Sequence, residues 1–245
     1  MTNSSREENN NWTDEKRMDF FKNLFNHDMN NIFQNILSGI QIARELIKDP
    51  NKIDSLGQNF NIIEEQILRG SNYLSNIQKI EQIDEYPKKL ENRDILLILR
   101  DGLERVNILY KNRNLNIILE NKEDHYISYV NDLIKIVFEN IIINAIILNN
   151  NDVVNLVIRL ENIIDKNDKK VKLEFIDKAN GIEESLQNEI FNISIDNFYN
   201  NNRLGFGLSI VYWIIKSYKG EIYIKSKNKD GYLKGSNFVL IIPSN

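Results

Sequence analysis

Cysteine is absent from this 245-residue chain, which removes disulfide frameworks, thiol nucleophiles and cysteine zinc sites together. Three prolines and ten glycines are few enough that each can be read as punctuation. Only two histidines occur, so imidazole chemistry is confined to His27 and His125. A net charge of −4 provides no basic field for nucleic acid. No apolar run approaches the roughly 20 residues of a membrane helix, and the polar Met1 to Asp14 has no signal-peptide core. What remains is expected to be a protein of the cytoplasm, and the length suits two domains better than one.

What is present starts with helical periodicity. From Asp14 to Lys48 nothing stops a helix, and Asp49-Pro50-Asn51 then breaks the pattern. A second run extends to about Glu85, where Pro87 ends it. In it Ile53, Leu56, Phe60, Ile63, Ile67, Gly70, Leu74 and Ile77 alternate by three and four, a heptad seam. The first run repeats the spacing with Phe25, Met29, Ile32, Ile36, Gly39 or Ile40, Ala43 and Leu46. A short turn between two such helices predicts an antiparallel hairpin. Phe20, Phe21, Phe33 and Leu37 widen the stripe beyond what two helices cover, which predicts a homodimeric four-helix bundle through residues 14–86. His27 lies two residues before the seam position Met29, hence outward, with Gly70 roughly level with it at a locally tight place. Asp28 adjoins His27, and Asn31 follows one turn on, on the same face.

Beyond Pro87 the pattern becomes mixed. Helices are predicted over Ile95–Tyr110, Val130 to about Leu148 and about Leu208–Tyr218. Strands are predicted around Leu115, Ile117 and Leu119, over Val153–Leu160 and Val171–Asp177, and over Glu221–Ser226 and Asn237–Ile242 as a closing hairpin through Asp230-Gly231. This reads as an α+β two-layer sandwich over residues 87–245, with a polar N-terminus at 1–13.

Three constellations in it carry chemistry. Asn140 and Asn144 stand four apart on an apolar helix, and their amide oxygens suit Mg²⁺. Capping or solvation is the plainer role for such a pair. Asp177-Lys178-Ala179-Asn180-Gly181-Ile182 follows a strand, where a carboxylate can accept a hydrogen bond from adenine's exocyclic amine; a simple turn is the alternative. Gly205-Phe206-Gly207-Leu208 opens a helix whose N–H groups can meet phosphate.

In this order the motifs resemble those of sensor histidine kinases, over residues 14–245. Phe25 to Asn31 looks like the H-box, Glu139-Asn140 to Asn144-Ala145 the N-box, Asp177 to Ile182 the G1 box and Gly205 to Leu208 the G2 box. Gly235-Ser236-Asn237-Phe238 is similar to the closing motif of the last strand. The resemblance implies a phosphotransfer hairpin followed by a Bergerat-fold ATP-binding domain. It implies His27 as the phosphoacceptor, Asp28 as proton acceptor and orienter, and Asn31 as the residue that positions water for phosphatase activity. ATP would be held by Asn140, Asn144, Asp177, Gly181, Ile182, Arg203, Gly205, Gly207 and Leu208, with Mg²⁺ on Asn140 and Asn144. Residues from about Phe191 to Leu204 would form the lid, and the partner would be the receiver domain of a response regulator. The chain would be a cytoplasmic kinase or the cytoplasmic part of a larger sensor.

The sequence departs from that pattern in three places. Ile32 replaces the proline expected after Asn31, Ala179 replaces a glycine, and Ile147 stands where relatives place a lysine or arginine for the phosphates. Arg203 and Lys178 are the nearest basic substitutes. Ile147 keeps open an alternative, a catalytically weakened nucleotide-binding scaffold or phosphatase-biased module. An ATPase that does not use its own histidine is a third reading. His125, in a charged loop, reads as solvated.

Overall fold

A computed structural model describes residues 14–85, 89–149, 151–179, 181–182, 206–225 and 235–244. Pro87, Asn180, the segment 191–204 with Arg203, and Gly205 lie outside the described residues, as does the Asp230-Gly231 turn. Asp14–Leu46 runs as one helix, α1, as a stretch without proline should. Asp49 then accepts a hydrogen bond from the Asn51 N–H and opens a 3₁₀ turn, Pro50–Ser55, that leads into α2, Leu56–Glu85. Helix α1 crosses α2 with Gly39 against Asn59 and Ile63, Asn35 against Gln66, and Met29 and Ile32 against Gly70. Rising numbers on one helix meet falling numbers on the other, so the pair is antiparallel.

Two details of the helical seam differ from the sequence reading. A Cβ at Gly70 would meet Met29 Cε at 3.5 Å, an ordinary contact, so the place near His27 is not tight. The close crossing is Gly39, where a Cβ would come 2.6 Å from Ile63 Cγ1 and where Asn59 Nδ2 reaches the Gly39 carbonyl at 2.8 Å. The α2 stripe also splits. Ile63 and Gly70 turn toward α1, whereas Ile53, Phe60, Ile67 and Leu74, spaced seven apart, are at least half exposed. Phe33 and Leu37 of α1 are exposed as well, which leaves an apolar band on the chain taken alone.

The remaining elements are β1 (Glu91–Asp94), α3 (Ile95–Leu109), β2 (Asn114–Asn121), β3 (Ile127–Val130), α4 (Leu133–Ile147), β4 (Val153–Asp165), β5 (Asp168–Asp177), α5 (Phe206–Ser217), β6 (Glu221–Ile224) and β7 (Asn237–Pro243). Five strands form one sheet in the order β2-β4-β5-β7-β6, with β2 and β4 parallel and the other pairs antiparallel. The inward residues of β4 and β5, Leu156, Ile158, Leu173 and Phe175 among them, bury against Ile134, Ile141 and Ile142 of α4 and Ile210, Val211 and Ile215 of α5. Helices over one face of a mixed sheet make the two-layer α/β arrangement.

Asp94 caps α3, accepting from the Leu96 N–H at 3.0 Å, but the residues before it pair with Ile127–Val130 as a second, two-stranded sheet. Val130 therefore ends a strand instead of opening α4; Asp132 stands at the N-cap, and Asn131 before it accepts from the Leu133 N–H. Strands β4 and β5 run past the core into a two-residue turn, Lys166-Asn167, with φ of 50° and 75°. His125 is exposed yet paired, 2.8 Å from Asp94. Among the described residues no helix is long and apolar enough to cross a membrane.

Candidate active site

At the end of β5 three backbone segments meet. Asp177 Oδ1 accepts from the Ala179 N–H at 2.8 Å and the Ser236 N–H at 3.0 Å, and the Asp177 N–H donates to the Ser236 carbonyl at 3.0 Å. A Cβ at Gly235, whose φ is +114°, would fall 1.9 Å from the Asp177 carbonyl oxygen. One at Gly181, φ +78°, would fall 2.7 Å from the Gly235 carbonyl oxygen. Only glycine fits either position, because both the space and the left-handed backbone exclude a side chain.

This crossing floors a cavity of about 310 Å³. Asn144, Ala145, Ile147 and Leu148 line it from α4, Asp177, Ala179, Gly181 and Ile182 from the end of β5, and Ser236 and Phe238 from β7. Apolar walls with one buried carboxylate at the base suit a flat heteroaromatic ring that offers an N–H. One carboxylate oxygen carries the two backbone amides; the other is the atom for such a donor.

Next to the cavity lies a buried polar cluster. Asn140 Nδ2 donates to the Ile136 carbonyl at 2.8 Å, which turns Oδ1 away from its own helix and toward Asn76 Nδ2 of α2, 3.4 Å away. Gly207, at the start of α5, packs so closely that a Cβ would stand 2.8 Å from Asn140 Oδ1 and 3.8 Å from Tyr73 Cε1. Tyr73 is 4% exposed and receives Arg69 Nε at 3.1 Å and Nη2 at 3.0 Å on its hydroxyl. Burial pushes the Tyr73 phenol up; the Arg69 charge opposes this, Asp28 adds to it, and the Gly207 N–H bond opposes it. Tyr73 thus lies against the first turn of α5, within electrostatic reach of Asp28 on α1. Lower on α2, Glu65 pairs with Arg113 at 2.7 Å, and Arg113 also reaches the Asn149 carbonyl.

On α1 His27 is half exposed and Asp28 nearly buried, and His27 Nδ1 lies 3.2 Å from Asp28 Oδ1. Asn31 Nδ2 approaches the same ring nitrogen at 3.5 Å. The opposite nitrogen, Nε2, takes no part in either contact.

Residues 129–245 match the family described as histidine kinase-, DNA gyrase B- and HSP90-like ATPase. This segment is similar to the ATPase domains of that family. No curated protein matches the chain. Among solved structures, the catalytic domain of histidine kinase ThkA superposes with a TM-score of 0.52 at 22% identity, over 64% of this chain and 99% of that one. Acinetobacter baumannii histidine kinase AdeS gives 0.51 at 19% identity, over 84% of this chain and 95% of that one. Full-length ShkA in complex with AMPPNP gives 0.50 at 15% identity, over 93% of this chain and 46% of that one. At these identities the likeness is one of fold. Together with the family match it bears out the resemblance to sensor histidine kinases.

In the matched segment, then, Asn144, Asp177, Gly181 and Ile182 come together in one cavity, and Asn140 and Gly207 form the adjoining cluster under α2. Leu208 is half-buried against the core, and Arg203 and Gly205 lie outside the described residues. Ile147 lines the cavity itself. Sequence reasoning did not single out Ser236 and Phe238 as site residues, although the motif that holds them was visible. It missed Arg69, Tyr73 and Asn76 altogether, for which no local signal exists.

Proposed function

We propose that the chain is an ATP-dependent protein histidine kinase, with residues 87–245 binding ATP and residues 14–86 forming the dimerisation and phosphotransfer hairpin. The observation that carries this reading is Tyr73. It lies against Gly207 at the start of α5, and Gly70, three residues before it, lies against Met29 and Ile32 of α1, which supports a histidine-bearing helix beside the polar end of the nucleotide cavity.

Adenine would enter the cavity with its exocyclic amine on the second oxygen of Asp177. Ile182 and Phe238 would flank the ring, and Gly181 would leave room at its edge. The phosphates would run toward Asn144, Asn140, Gly207 and Leu208, with Arg203 and Gly205 completing the site. The donors fit Mg²⁺: two amide oxygens from Asn140 and Asn144, and a buried Asn76 Oδ1 with no hydrogen-bond partner beside them. When bound, the ion supplies charge neutralisation for the phosphates.

Asp28 would hold the proton on Nδ1 of His27 and leave the Nε2 lone pair outward. That nitrogen attacks the γ-phosphorus, the bond to the bridging β–γ oxygen breaks, and ADP departs. Asp28 balances the positive charge that builds on the ring. The phosphoryl group then passes to an aspartate of a response regulator. Asn31, exposed one turn on, would position a water against the phospho-aspartate of that regulator for phosphatase activity. A second copy of the chain would cover the apolar band of Phe33, Leu37, Phe60, Ile67 and Leu74.

The test is label from γ-phosphate-labelled Mg-ATP in the wild type and in His27→Gln. Acid-labile label that vanishes in the variant is expected; label that persists would sink the assignment. The position of Ile147 in the cavity favours one second reading, a scaffold or phosphatase-biased module of the same fold. That reading predicts ATP binding without label, and label on Ile147→Lys.

A further inference from the structure

An ATP site needs positive charge at the terminal phosphates, and Ile147 makes the cavity wall apolar. Lys178 is exposed beside Asp177, at the carboxylate end of the cavity. A cation does stand at the polar cluster, on the hairpin. Arg69 directs Nε and Nη2 onto the single hydroxyl oxygen of Tyr73, at 3.1 and 3.0 Å, and the Gly207 N–H at the start of α5 joins them. A guanidinium fork and a helix-terminal amide converging on one oxygen are the donor set of a phosphate site. A second observation comes from Asn76, one turn along α2. It is fully buried, its Nδ2 contacts Asn140, and its Oδ1 has no hydrogen-bond partner. As an acceptor, that oxygen would face the metal ion or its waters beside the phosphates, not the phosphate oxygens themselves.

We propose that Arg69 supplies the cation for the terminal phosphates of ATP, in place of the basic residue that Ile147 lacks. A phosphate oxygen takes over the donors that the Tyr73 hydroxyl holds, and the phenol swings aside. The inference rests on the reading of the cavity as an ATP site. It makes the site incomplete without the hairpin: the cation arrives only when α2 is docked on α4 and α5. Asp28 acts electrostatically on the same phenol, so Arg69 also offsets the repulsion between that carboxylate and an incoming phosphate.

The test is calorimetric titration of the full chain with ATP and with adenosine, in the wild type, Arg69→Gln, Arg69→Lys, Ile147→Lys and Arg69→Gln/Ile147→Lys. Loss of the fork is expected to weaken ATP about tenfold, the scale of one charge-assisted contact, with adenosine unchanged. Arg69→Lys should fall between, and the double variant should regain most of the ATP affinity. Unchanged ATP affinity in Arg69→Gln would overturn the proposal. So would parallel loss of ATP and adenosine that Ile147→Lys does not rescue, since that marks a structural role. A wild type that binds no ATP would overturn the underlying reading, and this inference with it.

Discussion

Alanine at Gly39 and alanine at Gly70 add the same methyl group to the two helices of the hairpin, yet should change stability in opposite directions. Each removes the entropic penalty of a helical glycine, worth about 0.5–1 kcal/mol. At Gly70 the new Cβ meets Met29 Cε at 3.5 Å and Ile32 Cγ2 at 3.6 Å, so the gain is kept. At Gly39 it would stand 2.6 Å from Ile63 Cγ1 and 3.0 Å from Cδ1. Restoring ordinary carbon contact needs a shift of about 1 Å, and Cγ1 is too near the backbone to swing away alone. Overpacking of this kind costs about 1–3 kcal/mol. Gly70→Ala should therefore stabilise by about 0.5–1 kcal/mol, and Gly39→Ala destabilise by up to about 2 kcal/mol. Urea unfolding followed by circular dichroism, at one fixed protein concentration, measures both. A Gly39→Ala protein as stable as Gly70→Ala would refute the close crossing.

Asp177→Ala should lower stability by about 1–3 kcal/mol, because the buried Ala179 and Ser236 amides lose their acceptor. Asp177→Asn keeps that acceptor and should fold normally while losing ATP affinity about tenfold; wild-type affinity would remove Asp177 from adenine reading. Asp94 and Glu174 predict an acid limb in the stability profile. Burial raises the Asp94 carboxyl, but hydrogen bonds from His125, Tyr126 and Leu96 bring it below its ordinary value. For Glu174 the Lys172 and Lys225 charges and the Asn237 amide likewise outweigh burial. Groups lowered in the folded state stabilise it above their unfolded values and lose that contribution as pH falls through the folded ones. The thermal midpoint should thus drop below about pH 4, less steeply in Asp94→Asn, and an unchanged limb in that variant would count against the His125 pairing. Ile67→Glu should convert a dimer to a monomer by light scattering; a dimer that persists would exclude the exposed band as its interface.

Legibility followed periodicity. Strand β2 alternates exposed and half-buried residues along its whole length, so Leu115, Ile117 and Leu119 declare it. Asn144, Asp177, Gly181 and Ile182 were identifiable because each sits next to the end of a regular element. Strand β1 was not, since Glu91-Asn92-Arg93-Asp94 has no apolar alternation and is fixed only by its partner β3. Spacing alone treats Gly39 and Gly70 alike; only the distances to Ile63 and Met29 separate them. Tyr73 and Asn76 were invisible for a related reason. Their contacts reach residues more than sixty positions away, and polar pairing between distant elements leaves no period to read.

The seam where α2 meets α4 and α5 bears on how such proteins are recombined. Glu65 with Arg113, Asn76 with Asn140 and Tyr73 with Gly207 are matched pairs with one member on each side of the connection between Glu85 and Glu91. A chimera joined in that connection would inherit half of every pair. It would bring a foreign side chain against Asn140 and leave no tolerance for anything larger than glycine at 207. The two helices and the α/β segment are best exchanged as a single cassette, or with all six positions carried across together.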